Sequence, residues 1–200
     1  FWKKWFPAEL VCESFPGQFK NWFYSLLVMS AVLEKTAPMK TIFGYASVRD
    51  EKGEEMHKSK GNAIWFDEAA EKIGVDVMRW MYTKQNPADN LKFGYGTAKE
   101  SERKLMNLWN SFTFFKIYSI KIMTKKSDFK NPRSRTSDSN LPLLDQWILS
   151  RLNSLIEKVA KNMDKYNPAF AARSIEEFFI NDLSLWYIRR SRGRFQKPKT

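Results

Sequence analysis

The chain reads as an α/β region followed by an all-α helical bundle, and three observations predict that order. Short apolar runs broken by Gly and Pro crowd the first half, whereas long stretches with apolar residues at helical spacing fill the second. The charge divides at the same place: residues 1–99 carry 14 basic and 12 acidic side chains, and residues 100–200 carry 20 and 10. Within the first half the succession strand, helix, strand, polar loop, helix is an α/β succession.

Glu9 to Glu13 predicts a short strand ended by Pro16-Gly17, and Phe19 to Leu33 an apolar-rich helix. Thr41 to Val48 predicts a second strand, followed by the charged turn Asp50 to Glu54 and the polar loop Glu55 to Asn62. Gly61 in that loop suits a backbone angle that side-chain-bearing residues avoid. Asp67 and Asp76 are placed to cap two short helices, with Gly74 as the stop between them. Leu105, Leu108, Trp109, Phe112 and Phe115 then predict one amphipathic helix, and Leu144, Ile148, Leu152, Leu155, Ile156 and Val159 a second. Ile175, Phe178, Phe179, Leu183 and Trp186 predict a third. The same spacing assigns Trp109, Trp147 and Trp186 to the core of a small bundle. The Ser-rich basic run Lys125 to Asn140 reads as a solvated linker. Asn167-Pro168 separates the last two helices, because proline donates no backbone hydrogen bond and suits a first helical turn.

Composition excludes several classes. With 43% hydrophobic and 16% aromatic residues, the chain has far more buriable surface than a disordered tail. Cys12 and His57 are the only residues of their types, which excludes an intramolecular disulfide and leaves no Cys/His set for zinc. No run approaches the roughly 18 apolar residues of a membrane span, and Phe-Trp-Lys-Lys does not open a secretory signal. A reducing, cytoplasmic setting is the expectation. The start at Phe1 and the end inside a basic run lead to the expectation of a piece of a longer chain. A net charge of +12 favours a polyanionic partner, either nucleic acid or an anionic membrane surface.

Chemistry concentrates in Glu55-Met56-His57-Lys58-Ser59-Lys60-Gly61-Asn62, where two ammonium groups, an imidazole, a hydroxyl and a glycine follow a strand. Such a loop can wrap a phosphate chain, with lysines as mobile charges and backbone amides as fixed donors, or it can be a solvated turn. It lacks the glycine spacing of a P-loop.

In these residues the chain resembles the class I aminoacyl-tRNA synthetases, whose signature loop is Lys-Met-Ser-Lys-Ser followed by Lys-Gly-Asn. Phe6-Pro-Ala-Glu-Leu-Val-Cys-Glu13, Trp22-Phe-Tyr-Ser25, Gly74-Val-Asp-Val-Met-Arg-Trp80, Leu144-Asp-Gln-Trp-Ile-Leu-Ser-Arg-Leu152 and Trp186-Tyr-Ile-Arg-Arg190 are similar to the isoleucyl branch, in the same order. The resemblance implies the C-terminal part of a Rossmann-like catalytic domain at 1–96, with the signature loop at 55–59. It implies a helical anticodon-binding portion at 97–200, with a linker at about 124–142. It further implies a monomeric parent enzyme that activates isoleucine with ATP, Mg2+ accompanying ATP as substrate, and transfers it to tRNA; neither bound zinc nor a membrane is expected. The valyl, leucyl and methionyl enzymes, and a non-catalytic tRNA-binding relative, are the alternatives.

Carried over position by position, Lys58 matches the second signature lysine and is the expected catalytic residue. Glu55, Met56, His57, Lys58, Ser59 and Lys60 are the expected ATP-binding set, and Glu13, Gln18 and Trp22 the amino-acid or adenylate set. Arg189, Arg190, Arg192 and Arg194, with Lys197 and Lys199 beyond them, are expected to meet tRNA phosphates, and Trp186, Tyr187 and Phe195 to stack on bases. Three positions depart from the family: Glu55 replaces a lysine, His57 replaces a serine, and Gly17 falls where an aspartate would hold the substrate ammonium. The family's other adenylate motif, His-x-Gly-His, is not in this sequence, whose single histidine is His57.

Overall fold

A computed structural model describes residues 2–123 and 141–197. The linker expected at 124–142 lies outside these residues except for 141 and 142, as does Lys199. The chain forms two compact units, Phe1–Ala98 and Lys99–Thr200.

The first unit contains α1 (Trp2–Trp5), β1 (Ala8–Glu13), α2 (Phe15–Gln18), α3 (Trp22–Leu33) and β2 (Met39–Gly44). β1 and β2 pair in parallel, with Ala8 opposite Met39 and Glu13 opposite Gly44, so α3 is the crossover that parallel pairing requires. The second strand stops at Gly44 and not at Val48: the Tyr45 N–H turns to the Glu13 carbonyl and the Ala46 N–H to that of Pro87. Val48–Arg49 instead forms a separate strand, β3.

After β3 come a 3₁₀ turn at Lys58–Lys60, α4 (Phe66–Ile73), α5 (Val75–Lys84) and β4 (Leu91–Lys92), which pairs with β3 in parallel. Ala69, Met78, Met81, Phe93 and Ala98 form the buried cluster of this unit, with Ile64, Ile73 and Val77 packed on it. Asp67 and Asp76 do not cap α4 and α5. The cap positions fall two residues earlier, at Trp65 and Gly74, and neither supplies a side-chain cap. The aspartates sit in the first turns, where negative charge faces the positive helix end.

α6 (Tyr95–Met123) begins in the first unit and supplies the first helix of the second, which continues with α7 (Leu143–Asp164) and α8 (Pro168–Glu177). A π-wound stretch, Phe178–Ile188, leads directly into α9 (Arg189–Gln196). Asn167 caps α8 through its side-chain oxygen, which accepts from the Phe170 N–H, and Pro168 occupies the first turn. Cross-helix ties hold the unit: Lys104 to Glu176 at 2.9 Å and Arg151 to Asp182 at 2.9 Å.

The buried face of α6 is offset by one position from the expected stripe. Ser101 and Ser111 are buried, while Trp109 is 60% exposed and Phe112 and Phe115 are exposed as well. The last helical stretch likewise packs through Ala169, Ala171, Ala172, Ser174 and Ser191, with Phe179 its one fully buried aromatic among the described residues. Small side chains let helix backbones approach closely, a preference that an apolar count does not register. Trp186 is therefore exposed and Trp147 half-buried, their rings 6.5 Å apart, and Trp109 is not a core residue.

The start of α6 is braced by the turn after β3, where the Glu51 carboxylate accepts from the N–H groups of Gly96, at 2.5 Å, and Thr97, at 3.0 Å. A Cβ on Gly94 would overlap the Glu51 side chain. Gly94→Ala is expected to expel Glu51 from this cap and to lower stability by about 1 kcal/mol, the usual worth of a helix cap. The shift in denaturant midpoint measures it.

Candidate active site

The polar loop leaves the carboxyl end of β3 and is closed by a short ladder and a clasp. Arg49 bridges Glu55 across the hairpin, and the Asp50 N–H donates to the Glu54 carbonyl at 2.9 Å. The Asp50 carboxylate accepts from the N–H groups of Lys52 and Glu54 and from Asn62 Nδ2. Those donors, Asn62 foremost, hold its carboxyl below the usual carboxylate range. Gly61 takes a left-handed φ of 68°, which ends the 3₁₀ turn and lets its N–H reach the Lys58 carbonyl.

Within this frame the expected ATP-binding residues fall into two sets. Lys58, Ser59 and Lys60 lie side by side on an exposed turn, with Lys58 Nζ 4.4 Å from the centre of the Trp65 ring. Glu55 turns the other way: Arg49 Nη2 approaches its carboxylate at 3.1 Å and His57 Nε2 at 3.5 Å. Met56 is half-buried. The charge reversal at Glu55 is thus met by a neighbouring guanidinium, and the two lysines keep their ammonium groups outward.

At the carboxyl end of β1, Glu13 receives the indole N–H of Trp22 at 2.9 Å and the Ser14 N–H at 2.7 Å. Trp22 opens α3 as a partly exposed ring with its N–H engaged, and not as an ordinary core aromatic. Gln18 closes α2, its carbonyl accepting from the Asn21 N–H.

The basic helix end is less uniform than its sequence. Arg194 forms a two-pronged pair with Asp145, at 2.7 and 2.5 Å, and also donates to Ser191 Oγ. The Tyr187 hydroxyl donates to the same carboxylate at 2.9 Å, and burial with that bond pushes its pKa up to about 12. Phe195 packs edge-on against Phe114 and Tyr187. Tyr187 and Phe195 therefore serve the bundle interior, against the expectation that they present free faces to bases. Arg189, Arg190 and Arg192 are exposed, Arg190 lying 3.9 Å from the centre of the exposed Trp186 ring.

Comparison with known proteins fits this division. The family described as "tRNA synthetases class I (I, L, M and V)" matches residues 2–93, and that described as "Anticodon-binding domain of tRNA ligase" matches residues 145–200. Both segments are of the class I tRNA synthetase type. It is 37% identical to the isoleucine–tRNA ligase of Dehalococcoides mccartyi strain 195 over 97% of its length, and 34% identical to that of Thermus thermophilus over 96%. In both cases the chain spans only 18% of the relative's length. A leucyl-tRNA synthetase from Agrobacterium radiobacter K84, solved in a ternary complex with tRNA and LeuAMS, shares the fold with a TM-score of 0.67 at 15% identity, over 94% of this chain and 23% of that one. The fold is therefore a Rossmann-like segment followed by a helical anticodon-binding-type bundle, as expected from the sequence.

Four residues that shape this loop were outside the expected binding sets: Arg49, Asp50, Asn62 and Trp65. The Lys-Gly-Asn ending of the signature was a visible signal for Asn62, whereas the other three act through contacts that no motif spells out. In the bundle, the Arg194 guanidinium holds the Asp145 carboxyl below its ordinary range. Because the unfolded chain takes up that proton first, the stability contributed by the pair is complete above roughly pH 4 and is lost as pH falls through the lower folded value. At pH 7 Asp145→Asn is expected to lower stability by about 1 kcal/mol, read as a lower thermal midpoint, for a pair that water partly reaches. As pH falls below the ordinary carboxylate range the difference from wild type should shrink.

Proposed function

We propose that this chain is the signature-loop and bundle segment of an isoleucine–tRNA ligase, which joins isoleucine to ATP as the adenylate, releases pyrophosphate and passes the aminoacyl group to tRNA. The observation that carries the reading is the outward Lys58–Lys60 turn, held at the carboxyl end of a parallel strand, where α/β sheets gather ligands. The identities of 34 to 38% to isoleucine–tRNA ligases over nearly the whole chain support isoleucine as the amino acid.

On this reading Lys58 and Lys60 face the triphosphate. As the isoleucine carboxylate attacks the α-phosphorus, negative charge grows on the departing pyrophosphate, and cations already in place stabilise that state more than the ground state. Ser59 and the backbone N–H groups of the 3₁₀ turn add uncharged donors. Glu55 contributes through its pairing with Arg49 and not as a phosphate ligand, since a carboxylate facing phosphate is repulsive. Mg2+ would accompany ATP as its counterion. Among the described residues, no three His, Cys, Asp or Glu side chains gather as a metal site. Glu13, steadied by Trp22, lies closest in chemistry to the ammonium-binding carboxylate absent at Gly17, and Gln18 is the neighbouring polar group.

For tRNA, Arg189, Arg190 and Arg192 are the phosphate-binding set, with the Arg190–Trp186 stack as a face for a base. Arg194 belongs to the fold of the bundle. Among the described residues no helix is long and apolar enough to cross a membrane. On this reading the parent is a monomeric translation enzyme of the cytoplasm.

In the full-length parent, Lys58→Ala should slow isoleucine-dependent ATP–pyrophosphate exchange by about 100-fold or more while leaving thermal unfolding near wild type. An unchanged exchange rate would remove Lys58 from the mechanism. Replacing Arg189, Arg190 and Arg192 together by Ala should flatten the dependence of log K for tRNA on log salt by roughly 2, at about 0.7 to 0.9 per phosphate contact. A slope equal to wild type would place the tRNA contacts elsewhere.

A further inference from the structure

Asn62 ties the loop to the turn before it. Its Oδ1 accepts from the His57 N–H at 2.9 Å, and its Nδ2 donates to Asp50 Oδ2 at 2.9 Å and to the Glu55 carbonyl at 3.0 Å. Its amide can stand only one way, since reversal would set NH2 against N–H and oxygen against both a carboxylate and a carbonyl. Asp50 is held in turn by the N–H groups of Lys52 and Glu54, and its neighbour Glu51 accepts from the first turn of α6. Residues 55 and 57 on one side of Lys58 and residue 62 on the other are thereby fastened to a braced turn.

The lysines need such fastening. Lys58 and Lys60 repel each other, and their exposed turn has no buried side chain of its own. Two backbone bonds, Lys60 N–H to His57 O and Gly61 N–H to Lys58 O, shape the turn but do not fix its direction relative to β3. The direction is set where His57 and Glu55 meet Asn62, and a rotation there of the size that moves an ammonium by about 1 Å costs transition-state contact steeply.

We infer that Asn62 is a positioning residue for the signature lysines, holding through Asp50 the path on which Lys58 and Lys60 stand before nucleotide arrives. This deepens the reading of the loop as an ATP site and rests on it. Asn62 touches no substrate; it acts through the backbone of Glu55 and His57. Arg49 and His57 flank Glu55 at the near end of the loop, and the Asn62–Asp50 bond joins its far end to the turn.

Three variants of the full-length parent test this: Asn62→Ala, Asn62→Asp, and Asn62→Asp combined with Asp50→Asn. The readouts are ATP dissociation constant, KM for ATP and kcat in pyrophosphate exchange, hydrogen exchange at the His57 amide, and thermal unfolding. Asn62→Ala removes all three bonds and should speed His57 amide exchange about tenfold. Asn62→Asp sets two carboxylates face to face; ATP should bind about tenfold more weakly and kcat/KM should fall roughly 10- to 100-fold, with the melting temperature little changed. The paired variant restores one donor and one acceptor in reverse order and should recover most of the ATP affinity. The inference is overturned by ATP binding that stays at wild type in Asn62→Asp, by unaltered His57 exchange in Asn62→Ala, or by a paired variant no better than the single one. A variant too unstable to assay is judged by the paired variant against wild type. Wild-type enzyme that binds ATP without isoleucine-dependent exchange overturns the proposed function alone, because the clasp is then decided by ATP affinity. Wild type that binds no ATP overturns both.

Discussion

Parallel strands cannot be joined by a tight turn, and in the first unit that constraint shapes everything between β3 and β4. The chain leaves Arg49, must travel away from the sheet, and must return to Leu91 running in the same direction. The outward leg is the polar loop and the return leg is α4 and α5, whose Ala69, Met78 and Met81 bury against Phe93 just beyond β4. A loop with two neighbouring lysines contributes nothing to that core. Its place at the carboxyl end of β3 is imposed by the strand it leaves and the helix it feeds, and this is where an open α/β sheet exposes backbone donors to a ligand.

The electrostatics follow from which charges the fold uses internally. Glu55 would be an odd neighbour for phosphate, yet Arg49 and His57 meet it within 3.1 and 3.5 Å. Arg194 looks like one more member of a basic run, yet Asp145 and Ser191 engage its guanidinium from two sides. Lys58 and Lys60 at the loop, and Arg189, Arg190 and Arg192 at the helix end, are among the exposed positive groups outside those pairings. Charged pairs at half-exposed positions contribute little stability each. Their larger effect is selection, since they decide which members of a charged run are available to an anion.

The bundle was only partly legible. Pro168 announced a helix's first turn because proline geometry is local, and the structure keeps it there and adds Asn167 as the cap. The buried faces were not legible in the same way. Phe112, Phe115 and Trp109 dominate any apolar count, but Ser101, Ser111, Ala169 and Ala172 are the side chains that are buried. Periodicity measures hydrophobicity around a helix, whereas packing also rewards smallness where two backbones meet. Tyr187 and Phe195 illustrate the converse, being aromatic and half-buried because a carboxylate and a neighbouring ring are present to receive them.

By itself the sequence determined the order of α/β segment and helical bundle, the position of the cationic loop, and the need for glycine at position 61. Each depends on residues close together in the chain: apolar spacing, proline and glycine stereochemistry, and a cluster of like charges. Tertiary structure alone decided that Glu51 caps α6, that Asp50 and Asn62 clasp the signature loop, and that Arg194 turns inward while Arg190 stays out. Those outcomes depend on donors and acceptors brought together from up to 49 residues apart. A hydrogen bond requires its partners within about 3 Å along a favourable line, and only the folded path of the chain fixes that distance and direction.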